Sequence, residues 1–90
     1  MFICDCHCDT LTELYKKGTS LYANDQHFDI QRQIALGGGL QFCAIFVPTR
    51  EFRYYGGLRY TLQLLDKYLQ EVKKLHVDGI DVLQVLTKED

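Results

Sequence analysis

Leu40 to Val47 (LQFCAIFV) is a nearly continuous apolar run of strand length, closed by Pro48. A strand apolar on both sides of its pleat must be covered on both faces, the condition that parallel strands meet in α/β proteins. Parallel neighbours need helical crossovers, and the chain supplies them in order. Phe2 to Asp9 alternates Cys4, Cys6 and Cys8 with Asp5, His7 and Asp9, the period-2 pattern of a strand with two chemically different faces. Thr10 to Lys17 (TLTELYKK) reads as a short helix stopped by Gly18, and Gly18 to His27 as a surface loop. Asp29 is placed to cap a helix running to about Leu36, in which Ile30 and Ile34 share a face and Gly37 takes the left-handed position beyond the end.

Leu58, Leu62, Leu65, Leu69, Val72 and Leu75 fall at spacings of 4, 3, 4, 3 and 3, so a long helix from about Leu58 to Leu75 is expected to turn this stripe to the core. Val77-Asp78-Gly79 then turns the chain into Ile80 to Leu86 (IDVLQVL), an expected third strand, and Thr87 to Asp90 matches the start of another helix. Strand, helix, strand, helix, strand argues an α/β fold with a parallel sheet and right-handed crossovers. Three such strands leave long apolar edges unpaired, and a chain this short buries only about 60 to 65% of its unfolded surface. The expectation is that residues 1–90 are an N-terminal fragment of one larger domain and not a complete domain.

The 47% hydrophobic and 24% charged composition is that of a globular chain. Ten basic and twelve acidic residues, mixed along the chain for a formal charge of −2, argue against nucleic acid or an anionic membrane as partner. No apolar run is long enough to span a bilayer and no secretory leader opens the chain, so it reads as cytoplasmic. Cysteines two apart on a strand stand roughly 6.5 Å from each other with parallel side chains, which bridge poorly; reduced thiols are expected.

His7 and Asp9 project from one face of the first strand and can reach one cation together, since zinc takes His nitrogen and Asp oxygen. Asp5, one step deeper on that face, is placed to hydrogen-bond a ligating group from behind. Cys4, Cys6 and Cys8 point the other way, where a helix should pack over them as small hydrophobes. Gly37-Gly38-Gly39 precedes a strand, the wrong order for a phosphate loop. His27 and His76 have no partner at metal spacing and read as surface or loop residues. Arg50, Arg53, Tyr54 and Tyr55 follow the second strand and read first as a solvated loop, with contact to substrate the alternative, since they fall on the rim of His7 and Asp9 if the sheet is parallel.

Three blocks taken together, Asp5-Cys6-His7-Cys8-Asp9-Thr10, then Phe28-Asp29-Ile30, then Gly38-Gly39-Leu40-Gln41-Phe42-Cys43-Ala44-Ile45-Phe46-Val47, resemble the membrane dipeptidase family, the renal dipeptidase-like metallopeptidases. The resemblance implies about the first three strands of a metal-dependent (β/α)8 TIM barrel of the amidohydrolase type, with two zinc ions in the complete site and dipeptides as substrate. It gives His7 and Asp9 to one of those metals, makes the strand at Phe42 to Val47 structural, and places the bridging glutamate, the later metal-binding histidines and the substrate-binding arginine and aspartate beyond Asp90. No catalytic residue falls inside the segment, and its substrate-binding residues are unassigned. The implied chemistry is hydrolysis by a water that two zinc ions acidify, with the segment inactive alone. Family members often follow the metal-binding aspartate with Leu-Pro, whereas this chain has Thr10-Leu11.

Two other classes stay open on the residues. One is a small non-catalytic α/β module that binds a partner or self-associates, as a homo-oligomer or with the remainder of a barrel, through open strand edges. The other is a weak metal-binding or redox protein built on Cys4, Cys6, Cys8 and His7.

Overall fold

The computed structural model describes residues 2–48, 50–52 and 55–89. Among them five elements follow in order: β1 (Ile3–Cys8), α1 (Thr10–Lys17), α2 (Ile30–Ala35), β2 (Gly39–Cys43) and α3 (Gly57–Val77). β1 and β2 pair in parallel, with the helical crossover between them. Their register runs Ile3↔Gly39, Cys4↔Leu40 and Asp5↔Gln41, then Cys8↔Cys43, so β1 advances three residues while β2 advances two. This extra residue between Asp5 and Cys8 is a bulge, which breaks strict alternation and swings the strand end. The ladder begins at a close approach: a Cβ on Gly39 would overlap the Ile3 carbonyl oxygen and the Gln33 side-chain amide.

Local signals set the helix ends. Gly18 stops α1 in the left-handed region (φ 66°), donating its N–H to the Leu14 carbonyl at 2.8 Å. Asp29 caps α2, its Oδ1 accepting the Arg32 N–H at 2.8 Å, while its Oδ2 takes the Asn24 N–H and the Arg32 side chain. The core gathers Cys8, Leu11, Leu14, Leu21, Phe28 and Leu75, with Ile30, Cys43, Ile45, Tyr68, Ile80 and Val82 packed around it. Tyr60 of α3 meets Tyr15 of α1 edge-to-face at 6.0 Å and Phe52 at 4.7 Å. Glu71 is buried among these side chains and accepts the Leu21 N–H at 2.7 Å, with Lys74 at 3.1 Å and Lys67 at 3.5 Å. Among the described residues no helix is long and apolar enough to cross a membrane.

Four expectations are corrected. First, α3 buries only the end of the expected stripe: Val72 and Leu75 are buried, together with Tyr60, Leu64 and Glu71, while Leu58, Leu62, Leu65 and Leu69 are exposed. At about 100° per residue the two sets lie on neighbouring arcs of one helix, and α1 with a two-stranded sheet covers only one of them. Second, Ile80 to Leu86 lies outside any ladder. Ile80 and Val82 are drawn into the core, the Val82 N–H bonds back to the Ile80 carbonyl, and the Val82 carbonyl meets His76 Nε2 at 2.6 Å, so the backbone that a third strand needs is already engaged. Residues 87–89 form a bend and turn with no helix. Third, β2 stops at Cys43 and not at Val47: β1 ends at Cys8, and beyond the Ala44 N–H to Cys8 carbonyl bond at 2.9 Å no partner strand continues the ladder among the described residues. Fourth, of the three β1 cysteines only Cys8 is covered, Cys4 and Cys6 being exposed.

Replacing Gly39 with alanine should cost on the order of 1 to 3 kcal/mol, because the ladder must open to admit the methyl group; urea unfolding measures it. Glu71 gives a pH dependence. Burial alone raises its pKa, but the Leu21 amide, Lys74 and Lys67 outweigh burial and hold it below the usual glutamate value. A carboxyl depressed in the folded state stabilises above its unfolded pKa and loses that contribution as pH falls through the folded value. Glu71→Gln should therefore be less stable than wild type at neutral pH, with the difference shrinking below about pH 4.3 in unfolding curves taken across the range.

Candidate metal site at the end of the first strand

β1 ends at Cys8, and Asp9 takes the position ahead of the first turn of α1. Aspartate is favoured there because its carboxylate accepts a free N–H of that turn. Asp9 makes no such bond. Its backbone (φ −102°, ψ 19°) presents the carbonyl to the Thr12 N–H at 3.2 Å, and its Oδ1 lies 3.1 Å from His7 Nε2. Asp29 is the same residue type at the same position of α2, and there the backbone is extended (φ −147°, ψ 161°) and the side chain caps. Asp9 forgoes a cap worth about 0.5 to 2 kcal/mol for a contact with an imidazole. The gain in stability is small, since side-chain exposures of 65% for His7 and 59% for Asp9 leave the pair in water, where such pairs contribute about 0.2 to 1 kcal/mol. Local preferences given up without a stability gain are characteristic of functional positions.

The pair has the donors and spacing of two zinc ligands. Nitrogen and oxygen atoms at about 2.0 to 2.2 Å from a tetrahedral ion stand roughly 3.3 Å from each other, close to the 3.1 Å found. Both side chains line a cavity of about 730 Å³ with Asp5, Glu13, His27 and Gln41. The Asp5 Oδ1 accepts the His7 backbone N–H at 3.4 Å and its Oδ2 accepts Gln41 Nε2 at 3.0 Å, so its contacts here are to the strand backbone and a neighbouring amide. Among the described residues no three His, Cys, Asp or Glu side chains are gathered closely enough to hold a metal ion, and His7 and Asp9 stand as a pair of donors without a third.

His27, read from the sequence as a surface or loop residue, and Glu13, which drew no attention there, share this cavity. The 18–27 loop brings His27 across, and no spacing rule connects residues twenty apart through a loop. Arg50 and Tyr55 do not line the cavity, and Arg53 and Tyr54 fall outside the described residues. Beneath the pair, Cys8 and Cys43 place their sulfurs 3.8 Å apart. The Cys43 thiol, with hydrogen bonds at Thr10, draws the Cys8 thiol down to about 6 against the opposing effect of burial. Contact with Cys8 and burial both drive Cys43 up.

The two aspartates should separate cleanly on alanine substitution. Asp29→Ala uncovers the Arg32 and Asn24 amides and should cost about 1 to 3 kcal/mol, whereas Asp9→Ala should change stability by less than about 0.5 kcal/mol. Chemical denaturation of both variants measures the contrast. Compared with protein-family models, with curated proteins and with solved structures, the chain finds no match.

Proposed function

We propose that this chain is the N-terminal part of a zinc-dependent dipeptidase in which His7 and Asp9 hold one side of the metal site at the mouth of a TIM barrel. The observation that carries the proposal is the Asp9 carboxylate, turned from the helix it precedes toward His7 Nε2 at 3.1 Å. The parallel β1–β2 pair with a helical crossover is a unit from which such a barrel is built. His7 offers Nε2 and Asp9 Oδ1 to one cation, and the Asp5 carboxylate fixes the backbone that carries the imidazole. When bound, the zinc ions supply a water acidic enough to be ionised near neutral pH. Two ligands on one strand end do not define that geometry, so hydrolysis requires further strands.

A second function, a non-catalytic α/β module that associates through its surface, is favoured by the exposed Leu58, Leu62, Leu65 and Leu69 and by the open edge of β2. Zinc titration and sedimentation separate the two: the peptidase binds zinc through His7 and Asp9, while the module changes its association state without metal.

In a chain extended through the remaining strands and loaded with zinc, His7→Ala or Asp9→Ala should lower kcat/KM for a dipeptide by more than about 100-fold. Cys4→Ala and Cys6→Ala, on exposed positions of the same strand, should leave it within about twofold. Steady-state kinetics with metal content measured on each variant checks both. Zinc retained by the His7 and Asp9 variants, or full activity in them, rejects the assignment.

A further inference from the structure

Cys8 and Cys43 are partners across the β1–β2 ladder, and their sulfurs are 3.8 Å apart. Neighbouring parallel strands lie about 4.7 to 4.9 Å apart, inside the Cα separation of about 4.4 to 6.8 Å that a disulfide spans. The two thiols already point at each other, so closing to a bond of about 2.05 Å asks for side-chain rotation and not for strand movement. The bulge is what creates this match: in an unbroken register Asp5↔Gln41 continues to His7↔Cys43, and the extra residue brings Cys8 opposite Cys43 instead. Cys8 is buried and Cys43 half-buried, and the residues border two cavities, Cys8 that of His7 and Asp9 and Cys43 one of about 430 Å³ beside Leu83 and Val85, from which a small reagent would approach the pair. Cys4 and Cys6 are exposed and have no thiol partner among the described contacts.

We propose that Cys8 and Cys43 are a redox modification site, a dithiol that a hydroperoxide converts reversibly to an intramolecular disulfide. One sulfur attacks the peroxide and breaks its O–O bond, giving a sulfenic acid and an alcohol, or water from hydrogen peroxide. The second sulfur displaces water from the sulfenic acid and forms the S–S bond. Two thiol hydrogens and two electrons leave the protein, and the peroxide is reduced by the same two electrons. A thiol reductant reverses the change by exchange through a mixed disulfide. The bond ties the strand ends together between His7 and Asp9 in sequence, and the thiol geometry is independent of whatever that pair binds.

The test uses the Cys4→Ser/Cys6→Ser double variant, which alters two exposed positions and leaves Cys8 and Cys43 as the available thiols. Reduced protein is treated with stoichiometric hydrogen peroxide, then alkylated and analysed by intact mass and peptide mapping. The expected result is a loss of two hydrogens, a peptide cross-link joining Cys8 to Cys43 within one chain, and full return of both thiols on reduction. The reaction in folded protein should be at least about tenfold faster than in denaturant, because the native ladder holds the sulfurs in place. A cross-link between chains, stable sulfinic acid without a disulfide, equal rates in the folded and unfolded protein, or no reaction overturns the proposal. Wild-type protein mapped in parallel should show the same Cys8–Cys43 link, and a dominant link through Cys4 or Cys6 overturns it as well.

Discussion

The parallel pairing of β1 and β2 is the constraint on which the remaining structure depends. It starts where Ile3 and Gly39 approach too closely for any side chain at 39, and it ends where β1 gives way to α1. Between those limits the strands are out of step by one residue, and that residue decides the chemistry at the top of the sheet. Cys8 meets Cys43 because of it, while His7 falls within the bulge and Asp9 just past the last paired position, their side chains in contact and open to water. A regular ladder here would carry the same residues with different neighbours.

Three acidic side chains show how environment divides one functional group into different tasks. Asp29 and Glu71 are buried and satisfied by amides and cations from several segments, and burial in both cases is outweighed so that their pKa values fall. Together they hold the ends of the 21–29 stretch, Glu71 at the Leu21 amide and Asp29 at the Asn24 amide. Asp9 is exposed and satisfies none of the helix amides in front of it. The first two stabilise the fold. Asp9 offers an oxygen outward beside an imidazole, which is what a metal ligand must do.

Much of this was legible in the residues. The Asp29 cap, the glycine stops at Gly18 and Gly37, the long helix and the parallel pair follow from local rules that the structure obeys. The pairing of His7 with Asp9 followed from their spacing. What failed did so for reasons that spacing does not encode. On α3 the leucines at 58, 62, 65 and 69 are exposed while Val72 and Leu75 of the same stripe are buried along with Glu71, whose carboxylate takes the Leu21 amide and two lysines, partners that apolar spacing does not encode. Ile80 to Leu86 has a strand pattern, but its inward residues pack on the core and its backbone bonds locally. The bulge, and with it the Cys8–Cys43 contact, leaves no trace in a sequence whose cysteines alternate so regularly.

The bond between Glu71 and Leu21 spans fifty positions of chain, and this has a kinetic consequence. Closing so long a loop costs entropy before any contact repays it, whereas α3 is held by bonds between residues four apart and can form early. The 21–29 loop is closed locally by the Ile30 N–H to the Leu21 carbonyl and the Asn24 N–H to Asp29, and the Glu71 carboxylate adds the long-range tie, made when α3 meets the loop. His27 belongs to that loop and lines the cavity of His7 and Asp9. One wall of that cavity is therefore tied to a side chain fifty positions along the chain from Leu21.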